Sequence, residues 1–199
     1  MNGIQRMWLT WKHARKFARL GVHARFPIPE LHIEGHVEMG DHCRLRNNVT
    51  LRAREGGRII FGNRCGCSWG CLVDARSVIR IGNYSAVAEY TVLCDSVVFL
   101  MGNDAAPKAA RVEARPITIG DNSFVGSSCY IGPGVTVHEG AIVAHHSVVL
   151  EDVPPLEIWG GAPARRIGHR TEGISEARMR EIQEMIAQHG FGTDRYRAE

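Results

Sequence analysis

Aliphatic residues recur at every sixth position through the C-terminal part of the chain, from residue 119 to residue 153. Each six-residue unit opens with Ile or Val, and its fifth position holds a small residue: Ser, Cys, Ala or Val. A single β-strand alternates with a period of two and does not produce this longer period. A six-residue period is typical of a solenoid in which each unit is one short strand followed by a corner. The pattern therefore predicts an aliphatic side chain pointing inward from every strand.

The same pattern begins at Ile33 and continues, with interruptions, to about Val98. It fails beside Gly56-Gly57 and shifts by two residues before Ile81. The units number 16, which is about five turns if three units make one triangular turn. We predict an all-β solenoid over residues 30–170, with an N-terminal segment, residues 1–29, and a C-terminal segment, residues 171–199.

Both terminal segments carry apolar residues at helical spacing. Residues 1–29 contain no acidic residue, and Trp8 and Trp11 alternate with Arg and Lys, which predicts a basic amphipathic helix of about four turns ending near Gly21. Such a helix suits a cap on the open end of a solenoid, and it also suits peripheral contact with anionic lipid. Both interpretations stay open. A second helix is predicted to begin after Ser175 and to end near Gly190.

One long insertion, residues 99–118, interrupts the repeat. It is rich in Ala and mixes acidic with basic residues. A loop of this length in a compact domain is usually functional or disordered. Because a loop leaving a rigid solenoid reaches a neighbouring subunit, we look for chemistry at this insertion.

Composition narrows the class of protein. A hydrophobic content of 44% is enough to fill a core, and 22 glycines suit a coil of many turns. The net charge of +3 does not imply nucleic acid as a partner. The sequence has no apolar run of about 18 residues and no signal-peptide pattern, so we expect a cytoplasmic protein, at the inner face of the membrane if the N-terminal helix binds lipid.

The six cysteines are predicted to be reduced and structural, with no metal. The repeat places four on the small fifth position and one on the inward first position, while Cys94 takes a second position. Free Cys behaves as a small buried hydrophobe, and these spacings do not match a zinc pattern. The five predicted to face the core are Cys43, Cys65, Cys67, Cys71 and Cys129.

The repeat, the insertion and the closing segment, residues 160–165 (Gly-Gly-Ala-Pro-Ala-Arg), together resemble the hexapeptide-repeat acyltransferases. The resemblance covers roughly residues 31 to 170. Residues 116–122 and the loop before them are most similar to the sugar and antibiotic O-acetyltransferases and the serine acetyltransferases. The resemblance implies a left-handed parallel β-helix, a homotrimer, and acetyl-CoA bound in a cleft between adjacent subunits.

The resemblance also implies which residues meet acetyl-CoA. Two corner residues line the pantetheine channel, a small-residue segment lets the chain approach a ligand closely, and a basic residue meets the phosphates, where Arg offers paired charge-assisted hydrogen bonds. A C-terminal capping turn with solvated arginines is the competing interpretation. The residues concerned are Ser127, His145, Gly160, Gly161, Ala162 and Arg165.

The family uses a loop histidine as general base on the acceptor hydroxyl, but this chain has no histidine between His42 and His138. Three explanations stay open. A carboxylate replaces the histidine: Asp95 at the loop edge is the first candidate and Asp104 the second, with Asp74 one turn below raising the pKa of Asp95. A histidine from a predicted corner serves instead, the candidates being His36, His42, His145 and His146. The third explanation is that the protein is a non-catalytic trimer that acts as a scaffold.

The function predicted from the sequence is an acetyl-CoA-dependent O-acyltransferase. Its acceptor is expected to be a hydroxyl of a small molecule or glycan, in particular a saccharide, as in polysaccharide biosynthesis. The scaffold is the alternative. A γ-class carbonic anhydrase shares the fold but needs three zinc-binding histidines, and the interrupted turn of this chain lacks them.

Overall fold

A computed structural model of the chain describes residues 14–27, 30–99 and 111–173, together with the single positions 175, 177, 180 and 184. Within these residues the chain forms a parallel β-solenoid of about six turns. Short strands stack in register into three parallel sheets, which are the faces of the coil. The predicted solenoid is thereby confirmed.

The strands follow the turns of the coil in chain order. The first turn contains β1 (Arg19–Leu20) and β2 (His32–Glu34), and the second contains β3 (His36–Met39), β4 (Arg44–Leu45) and β5 (Thr50–Ala53). The third contains β6 (Arg58–Phe61), β7 (Gly66–Cys67) and β8 (Leu72–Ala75), and the fourth β9 (Val78–Ile81), β10 (Ala86–Val87) and β11 (Val92–Cys94). After a hairpin, β12 (Ser96–Phe99) with β13 (Arg111–Ala114), the fifth contains β14 (Ile117–Ile119), β15 (Phe124–Val125) and β16 (Tyr130–Ile131). The sixth contains β17 (Thr136–Val137), β18 (Ile142–Val143) and β19 (Val148–Val149), and β20 (Glu157–Gly161) and β21 (Ala164–His169) close the coil.

The three faces are defined by which strands pair. The first sheet runs β1-β3-β6-β9-β14-β17, the second β4-β7-β10-β15-β18-β20-β21, and the third β2-β5-β8-β11-β16-β19. All neighbours are parallel except β20 and β21, which form an antiparallel hairpin at the end of the second sheet. Residues at equivalent positions of successive turns therefore lie directly above one another.

The core follows the six-residue period of the sequence. The first-position residues Ile119, Val125 and Ile131 are completely buried, and so is the fifth-position residue Val49. Each aliphatic side chain removed from water stabilises the folded state by about 1.5–3 kcal/mol, so the continuous inner column is the main source of stability.

The solenoid begins one turn earlier than the sequence repeat indicated. Strand β1 pairs with β3, and the backbone N–H of Ala18 donates to the carbonyl of Val37 at 2.8 Å. From Phe17 onward the chain therefore belongs to the coil and not to the predicted N-terminal helix, whose remaining residues lie outside the described part. Strand β1 of the first turn has only two residues, and no six-residue unit precedes Ile33. The periodicity of the sequence therefore did not reveal this turn. The predicted C-terminal helix also lies largely outside the described residues.

The inserted segment leaves the coil as an antiparallel hairpin. Strand β12 pairs with β13 from Ser96↔Ala114 to Phe99↔Arg111, and residues 100–110 between them are outside the described part. The coil resumes at Ile117, two residues earlier than the periodicity indicated, where β14 pairs with β9 across the insertion.

One corner of the coil is held by a stack of Asn and Asp side chains. The Oδ1 of Asn63 accepts the backbone N–H of Asp41 at 2.8 Å, that of Asn83 accepts the N–H of Asn63, and that of Asp121 accepts the N–H of Asn83. Each side chain thus satisfies a backbone donor of the preceding turn that the strands leave unpaired.

The cysteines pack as the repeat predicted. Cys43, Cys65, Cys67, Cys71 and Cys129 are buried, Cys94 is partly exposed, and none is in a disulfide. The sulfurs of Cys43 and Cys65 are 3.7 Å apart on successive turns. Across the described residues, three or more metal-ligating side chains do not come together in a cluster. The same part of the chain contains no helix with the length and apolar character needed to cross a membrane.

Candidate active site

Polar side chains stack on the corner between the second and third sheets. Ser68, Glu89, Ser127 and His145 each follow a strand of the second sheet by one or two residues, on four successive turns. Parallel pairing in register places Glu89, Ser127 and His145 above one another, and Ser68 lies one residue before the equivalent position of its turn. We call these four residues the corner ladder.

Glu89 is the centre of the corner ladder. Its Oε1 accepts the hydroxyl of Ser68 at 2.6 Å, and its Oε2 accepts the hydroxyl of Ser127 at 2.7 Å. These two bonds, first that from Ser68 and then that from Ser127, lower the pKa of Glu89 to about 2. The carboxylate is therefore charged at neutral pH, and it holds two hydroxyls in fixed positions.

His145 is exposed and has a defined tautomer. Its Nδ1 lies 2.9 Å from the backbone nitrogen of Ser127 and accepts that N–H. A neutral imidazole has one donor and one acceptor nitrogen, so the proton of the neutral ring is on Nε2. The ring also meets Phe124 edge-on, with centroids 6.3 Å apart. The neutral ring of His145 thus offers its Nε2–H as a hydrogen-bond donor.

The closing hairpin lies next to the corner ladder. The backbone N–H of Gly161 donates to the hydroxyl of Ser147 at 3.2 Å, and β20 pairs with β18, the strand before His145. A methyl group on Gly160 would lie 3.2 Å from the Cβ of Ala144, so this segment packs closely on the preceding turn. The structure therefore brings the small-residue segment to the same corner as Ser127 and His145.

Arg165 lies at the outer edge of this hairpin, opposite Gly160 in the pairing of β20 with β21. Its guanidinium is 3.3 Å from the carboxylate of Glu151, and both side chains are mostly exposed. An exposed ion pair of this kind contributes little to stability, so Arg165 can exchange Glu151 for another anion at low cost.

A groove of about 610 Å³ covers the outer face of the second sheet from the first turn to the fifth. Gly66 and Ala86 line it where two strands carry almost no side chain, and Glu89 and Phe124 are also among its lining residues. We call it the basic groove, because four arginines line it: Arg25, Arg44, Arg46 and Arg64. Glu89 therefore belongs both to the corner ladder and to the basic groove.

Comparison with known proteins gives the same family that the repeat resembles. The model of the bacterial transferase hexapeptide (six repeats) matches residues 116–151. A chloramphenicol acetyltransferase of Morganella morganii is 40% identical over 119 residues, which cover 57% of this chain and 52% of that protein. The galactoside O-acetyltransferase of Escherichia coli K12 is 31% identical over 96 residues, 43% of this chain and 47% of that protein. The chain spans about half the length of the curated relatives it matches.

The fold has close counterparts among solved structures. A single-residue mutant of AntD, an N-acyltransferase from Bacillus cereus in complex with dTDP and coenzyme A, gives a TM-score of 0.72 at 18% identity. The match covers 88% of this chain and 96% of that one, and at this identity it shows the shared fold. The chain is thus similar to the hexapeptide-repeat acyltransferases in its repeat, in its fold and in the relatives that it matches.

Asp95 and Asp74 were the carboxylates proposed in place of the family's loop histidine. Both accept hydrogen bonds within the protein. Asp95 is completely buried, and its two oxygens accept the backbone N–H groups of Arg76 and Ser77 at 2.8 Å each. Its own carbonyl accepts the N–H of Arg115, so Asp95 ties both ends of the β12–β13 hairpin to the coil. Both oxygens of Asp95 therefore hold the backbone in this structure, and its role as the base stays a prediction.

Asp74 is held in the same way. Its carboxylate accepts two bonds from Arg54, at 3.2 and 2.6 Å, and it is almost completely buried. Burial is the main cause that raises the pKa of Asp95, and the charge of Asp74 is a smaller one in the same direction. Asp104 lies outside the described residues.

The four candidate histidines lie in different parts of the coil. His36 lies on β3, not on a corner, and its Nε2 is 2.8 Å from Glu38. The ring of His42 stacks on that of His23 with centroids 4.8 Å apart, in the wall of the basic groove. His146 is exposed on the turn that also carries His145. Of the four, only His145 belongs to the corner ladder.

Glu89 is the residue that the sequence reasoning missed. It occupies the third position of its hexad, as Ser127 and His145 do, so the repeat register contained the signal. Glu89 and Ser127 are 38 residues apart because the hairpin lies between them. This long separation is why their contact was not predicted from the sequence.

Proposed function

We propose that the protein transfers an acetyl group from acetyl-CoA to a hydroxyl of a saccharide or a related acceptor. The observation that carries the proposal is the corner ladder, in which a charged carboxylate, two oriented hydroxyls and a fixed imidazole donor meet at the end of an open groove. The similarity to hexapeptide-repeat acyltransferases supports it, as do the relative named galactoside O-acetyltransferase and the structure containing coenzyme A.

On the donor side, we propose that acetyl-CoA lies along the corner that carries Ser127, His145 and the segment from Gly160 to Ala162. Gly161 and Ala162 are exposed and have little or no side chain, so a ligand can approach the backbone of that segment closely. Arg165, at the edge of the hairpin, would exchange Glu151 for the phosphates of CoA. A guanidinium forms paired, charge-assisted bonds with phosphate, so this exchange is favourable.

In the proposed reaction the acceptor oxygen attacks the carbonyl carbon of the thioester. The C–S bond then breaks, the acetyl group stays on the acceptor, and the proton of the hydroxyl ends on the sulfur of CoA. The Nε2–H of His145 is the donor available for the oxyanion that forms on the carbonyl oxygen, because Nδ1 is occupied by Ser127.

Glu89 has a different task from a general base in this proposal. A carboxylate with a pKa of about 2 is a weak proton acceptor at neutral pH. Its oxygens have about four lone-pair sites, and Ser68 and Ser127 occupy two of them. The remaining sites can accept bonds from hydroxyls of the acceptor and so orient the reacting one.

An amino group is the second candidate nucleophile. A charged carboxylate attracts an ammonium group as well as a hydroxyl, and a neutral amine attacks a thioester without prior removal of a proton. The structural match to an N-acyltransferase is consistent with this candidate at the level of the fold. We further propose a homotrimer, the assembly that the resemblance implies.

The test is a thiol-release assay with acetyl-CoA against a panel of sugars and amino sugars, with products identified by mass spectrometry. We expect release that depends on the acceptor and that falls at least tenfold in both Glu89→Gln and His145→Ala. Glu34→Gln, an exposed carboxylate of the first turn, is the matched control and should retain full rate. Calorimetric titration of CoA accompanies the assay, because CoA binding without transfer to any acceptor would favour the scaffold instead.

A further inference from the structure

The floor of the basic groove is low because two successive strands have almost no outward side chain. On the second sheet, Arg44, Gly66, Ala86 and Phe124 occupy the same register position on four neighbouring strands. Neighbouring strands are about 4.8 Å apart, so Arg44 and Phe124 stand roughly 14 Å from each other across a bare floor. A gap of this width accommodates a small ligand lying flat on the sheet.

The charge of the groove is strongly positive. Four arginines line it, and the carboxylate among its lining residues is Glu89, which is already bonded to Ser68 and Ser127. Arg25 and Arg44 are bridge partners on adjacent turns, which places two like charges side by side. An anion bound at this place would meet two guanidinium groups at once.

Aromatic side chains also line the groove beside the arginines. Tyr84 and Phe124 are each about two-fifths exposed, at 41% and 37%, and both line the groove. The guanidinium of Arg46 lies 4.7 Å from the ring centroid of Trp69, which fixes its position at the corner. Arginine is the side chain best suited to bind phosphate oxygens in pairs.

The location of the groove separates it from the proposed donor site. The groove runs from the first turn to Phe124 on the fifth, and Ser127, His145 and Arg165 are not among its lining residues. The two regions meet at Glu89. A ligand whose anionic part lies among the arginines therefore directs its other end toward the corner ladder.

We propose that the basic groove binds the phosphate or diphosphate of the acceptor, so that the acceptor is a phosphorylated saccharide and its reacting group points to Glu89. This inference rests on the proposed function, because only an acetyl transfer has an acceptor. The anion site itself can exist whether or not the protein transfers an acetyl group. Diphosphate is also part of CoA, and the experiment separates the two sources.

The experiment is calorimetric titration of the full-length chain with inorganic pyrophosphate, with UDP-glucose and with glucose, followed by CoA. We expect pyrophosphate and UDP-glucose to bind and glucose not to bind, with affinity that falls as salt is raised. Arg44→Gln and Arg64→Gln should each weaken pyrophosphate about tenfold or more, the effect of losing one charge-assisted bond. Both should leave CoA affinity unchanged. Arg58→Gln, on the first sheet, is the matched control and should leave both affinities unchanged.

Two outcomes would overturn the inference. One is that neither pyrophosphate nor UDP-glucose binds. The other is that pyrophosphate binding is lost in Arg165→Ala and kept in Arg44→Gln and Arg64→Gln, which would assign the anion site to CoA. A protein that binds UDP-glucose through the arginines but transfers no acetyl group would leave this site established while contradicting the proposed function. Circular dichroism of each variant confirms that loss of binding is not loss of folding.

Discussion

Glu89 and Ser127 are 38 positions apart in the sequence, yet their carboxylate and hydroxyl oxygens are 2.7 Å apart. The contact crosses the hairpin insertion, because the strands before the two residues, β10 and β15, pair directly on either side of it. The insertion therefore leaves the corner intact, and the corner ladder continues from the fourth turn to the fifth as if the hairpin were absent.

The bond between these residues should be measurable as a coupling energy. In a double-mutant cycle of Glu89→Gln with Ser127→Ala, we expect a coupling of about 1 kcal/mol in the free energy of unfolding, because the hydrogen bond is to a charged but partly exposed group. Urea unfolding monitored by fluorescence gives the four values. The cycle of Glu89→Gln with Thr118→Ala, on the outer face of the first sheet, should give zero within error. Equal values in the two cycles would mean that the contact contributes nothing.

The lowered pKa of Glu89 predicts how stability depends on pH. The folded-state pKa is about 2 and the ordinary value is 4.5, so the charged carboxylate stabilises the folded state at pH values above 4.5. We expect the stability difference between wild type and Glu89→Gln to be constant above pH 5 or so and to shrink as the pH falls from about 4.5 toward 2. Urea unfolding of both proteins between pH 3 and pH 7 measures it. A difference that grows as the pH falls would contradict the assignment.

Asp95→Asn should destabilise the protein and leave CoA affinity intact. Asn offers one acceptor oxygen, and its amide group would face one of the two N–H donors, so we expect a loss of about 2 kcal/mol in the free energy of unfolding. Asp152→Asn is the matched control, since Asp152 accepts a single N–H, from Thr136, at an exposed corner. The free energy of unfolding should fall less in Asp152→Asn than in Asp95→Asn. Unchanged stability of Asp95→Asn with turnover reduced by about 10²–10⁴-fold would support Asp95 as the base.

Arg165→Ala should weaken CoA binding by about 1.5–3 kcal/mol, the range for hydrogen bonds to charged groups. Its neighbour Arg166 is the control, because it pairs with Glu157 and Glu172 and adjacent residues of a strand point to opposite faces. Calorimetric titration of CoA into wild type, Arg165→Ala and Arg166→Ala provides the comparison. Equal weakening in both variants would indicate a general effect of positive charge.

The coil was predictable from the sequence because the six-residue repeat follows directly from how side chains pack in the interior. Every sixth residue must be aliphatic to fill the interior, so the buried positions of Ile119, Val125 and Ile131 were readable without a structure. The first turn was not readable, because β1 contributes two residues and is recognised only by its pairing with β3.

The candidate site was harder to predict, because stacking depends on the lengths of the corners. Ser68 and Glu89 are 21 residues apart and Glu89 and Ser127 are 38, whereas three hexads would give 18. For Asp95, its position beside the insertion was correct, but sequence alone did not show that two backbone N–H groups would occupy its carboxylate.

The way in which Asp95 holds the hairpin has a consequence for how such proteins diverge. Its side chain binds the turn below, and its carbonyl binds Arg115, where the chain returns. Because both ends of the hairpin are fixed at one residue, its length and composition can change over generations without altering the register of the turns above and below. Selection can therefore act on the projecting hairpin while the coil is inherited almost unchanged.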